Sequence, residues 1–177
     1  MSANTIYVPL NDVKNEIWES DLLVFRSRTG SCYRVAKAAR WDDELFCLEV
    51  RRFQGVVAVP LAQLVEQFSG KIDVYEVNPE DQWKVYDRKG ATRHLKKTLF
   101  SKSDRRNVLL ETFLNLFLRL LSKPKLKSSK TPYCADAIRQ ADRLGGGVDP
   151  IPKLISTGIE PGDLATSPLY RYRFTLQ

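Results

Sequence analysis

The stretch YRVAKAARWDDELFCLEV, residues 33–50, commits this chain to a sheet: two runs rich in strand-forming residues meet at Trp-Asp-Asp-Glu, which reads as a tight turn. With Arg40 opposite Leu45, the hairpin pairs Ala36 with Glu49 and sets Arg34 on the face of Glu49 at the diagonal position, within reach of an ion pair. A one-residue slip separates the two, because side chains alternate faces along a strand. DLLVFR ahead of the hairpin reads as a buried strand, GVVAVP and KIDVYEV as further strands, and YRYRFTL alternates as another. Pro60 opens a helix, LAQLVEQF, and Asn11 caps a short helix through Ser20 whose apolar side carries Val13, Ile17 and Trp18.

Beyond Pro79 the period changes. A helix is predicted through the Trp83 to Leu99 region, interrupted near RKG, and a second from Asp104, where Glu111, Asn115 and Arg119 recur every fourth position. The second is apolar apart from that stripe and reads as a core helix, its apolar run falling short of the roughly 20 residues a bilayer requires. SKPKLKSSKTP follows as a basic loop. Charge is unevenly spread: residues 1–81 hold 9 Lys/Arg against 13 Asp/Glu, residues 82–130 hold 14 against 3, and residues 131–177 hold 5 against 5. The basic middle segment could meet nucleic acid, anionic lipid or an acidic protein surface, or be a solvated surface only. It lacks the interleaving of aromatic and basic residues expected of a single-strand groove. With 177 residues and 43% hydrophobic content, residues 1–177 are expected to form a single domain.

KTPYCADAIRQADRLGGG, residues 130–147, places Cys134 in the first turn of a helix: Thr131 is a plausible N-cap, Pro132 fits the first helical position, and the glycines supply a stop. Free N–H groups and the helix dipole favour a thiolate there. The other cysteines, Cys32 and Cys47, read as packing residues. Three cysteines without metal-ligand spacing and one histidine, His94, argue against a zinc site or a disulfide framework, and no cofactor or metal is expected. The N-terminal stretch has no secretory pattern, so synthesis in the cytoplasm is expected.

SDLLVFR, VAKAARWDDELFCLEV, GVVAVPL, YCADAIRQADRLGGGVDPIP and PGDLATSPLYRYRFTL, in that order, resemble blocks of the circularly permuted NlpC-type, papain-like cysteine hydrolases of bacteria and tailed phages. The resemblance implies an α+β, permuted papain-like fold with a small antiparallel sheet packed against helices. It sets Cys134 at the nucleophile position, Glu49 at the third polar position and Tyr33-Arg34 where the family carries Ser-His, so that Arg34 replaces the base histidine. Arginine stays protonated and cannot take the thiol's proton. The implied function is a degenerate hydrolase homologue acting as a binding or virion-associated module on an unidentified protein partner. The alternative is an active thiol hydrolase or acyl transferase cleaving a cell-wall peptide or acyl-lipid substrate through Cys134. Tyr33, Tyr133 and Asp136 would then line the binding cleft, and residues 82–130 would offer a contact for polyanions.

Overall fold

A computed structural model of the chain describes residues 6–51, 54–100, 132–152 and 158–176. Seven strands form one sheet: β1 (Tyr7–Val8), β2 (Leu22–Arg26), β3 (Cys32–Trp41), β4 (Glu44–Arg51), β5 (Gly55–Pro60), β6 (Lys71–Val77) and β7 (Tyr170–Leu176). Their spatial order is β1-β7-β6-β2-β3-β4-β5. β1 runs parallel to β7 and every other pair is antiparallel, so the sheet is mixed where an antiparallel one is expected from sequence. The β3–β4 hairpin has the predicted register, Arg40 opposite Leu45 and Ala36 opposite Glu49. Its two-residue loop places Asp42 and Asp43 at φ 46° and 66°. Both are left-handed, as the tight turn that matches strand twist requires, and aspartate tolerates that region better than most residues.

Each face of the sheet buries its own core. One face carries Val24, Val35, Ala39 and Leu48 against α3 (Arg88–Phe100), α4 (Pro132–Gln140), a π-helical turn (Ala141–Gly145) and α5 (Pro161–Ala165). The other carries Leu23, Phe25, Ala36, Ala38 and Cys47 against α1 (Leu10–Val13) and α2 (Leu61–Gln67). Strand alternation dictates this division, since neighbours such as Val35 and Ala36 point to opposite sides. The helix expected from Asn11 is reduced to α1 and a 3-10 turn, Lys14–Glu16, and the region after Pro79 opens with a 3-10 turn, Asp81–Trp83. α3 starts two residues before Gly90 and runs through RKG unbroken, because the Asp87 carboxylate accepts the Gly90 N–H at 2.9 Å and caps the helix. Gly90 is also required by packing: a Cβ there would come 2.2 Å from the Gly145 carbonyl oxygen. The predicted apolar helix from Asp104 and the basic loop after it lie outside the described residues.

Candidate functional site

A β-bulge decides on which side of the sheet Tyr33 and Cys32 fall. Phe25 pairs with Arg34 and Arg26 with Cys32, leaving Tyr33 as the extra residue in β3. A bulge of this kind shifts the alternation of the strand by one. Tyr33 therefore packs with Phe25 and Phe68 on the α1/α2 face, while Cys32 joins Val35 on the α3/α4 face. Arg34 lies on the α1/α2 face too, its guanidinium 3.9 Å from the centre of the Phe25 ring. It donates to Glu49 at 2.6 Å, and Arg51 reaches the same fully buried carboxylate at 3.2 Å. The two arginines outnumber the carboxylate, so the cluster carries net positive charge at the edge of that core.

Cys134 is on the other side, in the core beneath α4 with Val35 and Cys32. Only 3% of it is exposed. Burial pushes its thiol up, against the opposing pull of the Val35 and Ala135 N–H groups. Cys32 nearby is pushed up by burial to about 11. Helix-start position and desolvation compete at Cys134, and desolvation wins. Asp136 is half-buried and its carboxyl raised by burial, with Arg139 pulling the other way. Tyr133 occupies the first turn of α4 beside Cys134. His94 is half-buried on α3, a helix that packs on the π turn and β5. The structure thus joins Arg34, Glu49 and Tyr33 on one face of the sheet and sets Cys134 in the core of the other, where the Arg34 charge still pulls against the burial of the thiol.

Two further constellations went unread in the sequence. The first is Lys37, wholly buried on the α3/α4 face, whose ammonium pairs with Asp142 at 2.8 Å and donates to the Ser20 carbonyl at 3.0 Å and to the Tyr170 hydroxyl. Tyr86 donates to Asp142 at 2.6 Å and Tyr170 donates to its other oxygen. Burial lowers the Lys37 pKa and raises both tyrosines well above their ordinary value. Every partner is satisfied, which is the condition for a buried ion pair to persist. Its only sequence signal was a lysine inside VAKAA.

The second is an open cleft of about 440 Å3 beside the end of β6, lined by Trp18, Asn78, Trp83, Lys84, Tyr86 and Arg88 among others. Arg88 donates to Asp21 at 2.6 Å, and Asp21 accepts the Trp18 backbone N–H at 2.8 Å. The loop carrying the Trp18 indole is thereby tied to the first residue of α3. Trp18 is 59% exposed, large for a tryptophan in a folded chain. The Trp83 indole N–H has no acceptor among the described residues.

No family model matches the chain, and no curated protein matches it. Among solved structures it is similar to the metalloprotein yiiX of Escherichia coli O157:H7, a DUF1105 protein, with a TM-score of 0.54, 12% identity, and coverage of 88% of this chain and 97% of that one. The likeness is one of fold. It corrects the resemblance drawn from sequence: the topology is that of the DUF1105 protein, with a mixed open sheet, and not a permuted papain-like or NlpC-type fold. The degenerate or active cysteine hydrolase, and the phage and virion association, fall with it. A metal does not transfer either: no three His, Cys, Asp or Glu side chains cluster as ligands among the described residues. Asp142 and Glu49 are occupied by cations and hydroxyls, and burial keeps the Cys32 and Cys134 thiols protonated. No helix among the described residues is long and apolar enough to cross a membrane.

Proposed function

We propose that this chain is a polyanion-binding domain whose contact surface is the outer side of α3. The observation that carries the reading is a row of three cations, Lys89, Arg93 and Lys97, exposed and without an ion-pair partner among the described residues. Their spacing of four puts them on one stripe, about 6 Å apart along the axis. Several neighbouring and distant cations are by contrast engaged, Lys96 with Glu19, Arg88 with Asp21 and Arg139 with Asp149. Residues 82–97 hold six Lys/Arg against one Asp, so the stripe stands in a field that attracts negative charge. Affinity for a labelled oligonucleotide or for heparin is expected to fall steeply with salt. Reversing Lys89, Arg93 and Lys97 to glutamate should weaken binding at low salt and reduce the slope of log affinity against log salt by about 2, as three lost phosphate contacts on a single strand require. Unchanged binding by the reversed variant would sink the reading.

A further inference from the structure

We infer that the cleft beside Trp18 holds an unpaired nucleobase, which makes the polyanion single-stranded nucleic acid; this rests on the polyanion reading of α3. Such a ligand needs flat aromatic surface for bases next to cations for phosphates. The sequence keeps these apart, but the fold assembles them. Trp18, from the segment before β2, meets Trp83 and Lys84 around one cleft of about 440 Å3. Arg88, the first residue of α3, lines the same cleft, and the exposed row begins one position later at Lys89. The row and the cleft therefore adjoin at the amino end of α3.

The aromatic wall is also held in place. The Trp18 backbone N–H is bonded to Asp21, Asp21 to Arg88, and Arg88 to the Glu19 and Val77 carbonyls. The backbone that carries the indole is thus anchored, and the ring itself stands more than half in solvent, with no aromatic neighbour stacked on it among the described residues. Lipid headgroups and sulfated sugars offer the anions without a flat π face. An unpaired base offers both, and a duplex withholds its faces by stacking them.

The test compares a labelled oligothymidylate with an abasic oligonucleotide of equal length and charge, on the full chain at low salt. Wild-type protein is expected to prefer the base-bearing strand about 5- to 150-fold, and to quench its tryptophan emission on binding. Trp18→Ala should bring the two strands to equal affinity, and Trp18→Phe should retain part of the preference. Equal affinity of the wild type for both strands overturns the base site while leaving the cation row intact. Binding to neither strand overturns both readings.

Discussion

At a single sulfur, position and burial act in opposite senses. Cys134 sits where helix N–H groups stabilise a thiolate, yet the core around it favours the neutral thiol. With iodoacetamide near pH 8, Cys32, which is half-buried, is expected to label before Cys134 and Cys47, and its rate should keep rising toward pH 11, because its thiol is pushed up to about 11. Peptide mapping after timed labelling measures this, and fastest labelling at Cys134 would contradict it. Arg34 and Glu49 show what was legible at this scale. Their pairing followed from the hairpin register, which turn chemistry and alternation specify. The separation of Cys134 from them was not legible, because it depends on which face of the sheet receives α4, a contact between segments far apart in the chain. The bulge at Tyr33, which leaves no mark in a hydrophobic pattern, hid only the sides taken by Tyr33 and Cys32.

Between elements, backbone contact replaces side-chain packing where α3 meets the π turn. A Cβ on Gly90 would approach the Gly145 carbonyl oxygen to 2.2 Å, and one on Gly145 the Gly90 oxygen to 2.5 Å. Gly90→Ala should therefore destabilise by about 1–3 kcal/mol or more, since two helical backbones must move apart. Gly162, in α5, has open space around it, and Gly162→Ala should be neutral or stabilise by up to about 1 kcal/mol. Urea midpoints of the two variants provide the comparison, and equal effects would refute the close-contact account. Strands β2 to β7 and α2 were readable from their strand-forming and apolar runs, whereas the two-residue β1, whose parallel pairing makes the sheet mixed, is too short to leave such a run. The π turn was not readable, because Asp142 pairs directly with Lys37 across 105 positions of chain, with two tyrosines bonded to the same carboxylate. The cleft was hidden for the same reason: Trp18 and Trp83 become neighbours only once β2 and β6 pair.

Taken as a whole, the molecule holds many acidic groups neutral. The thiols of Cys32, Cys47 and Cys134 and the phenols of Tyr75, Tyr86 and Tyr170 are all raised by burial. In the unfolded chain they ionise near 9.0 for cysteine and 10.0 for tyrosine. Their contribution to stability is complete below those values and is lost as pH rises through the folded ones, each group adding a slope of about 1.4 kcal/mol per pH unit in its window. Lys37 acts in the reverse sense, since its folded pKa is lowered and stability rises with pH up to the unfolded 10.5. Tyr33 is raised by burial as well, and these groups outnumber Lys37, so a net loss is predicted: the urea midpoint should fall between pH 9 and pH 11, and less steeply in Cys47→Ala. A midpoint constant over that range would be incompatible with the burial described. The placement of β7 carries a consequence of another kind, in the order of assembly. β7 lies between β1 and β6, and its Thr175 hydroxyl bonds to Asp73 from 102 positions away. A chain emerging from its amino end completes β2 to β6 long before β7 exists, so the outer edge of β6 waits with its amides unpaired. During that interval the nascent sheet offers Lys71–Val77 as an open template to any passing strand, a hazard that ends only when β7 arrives.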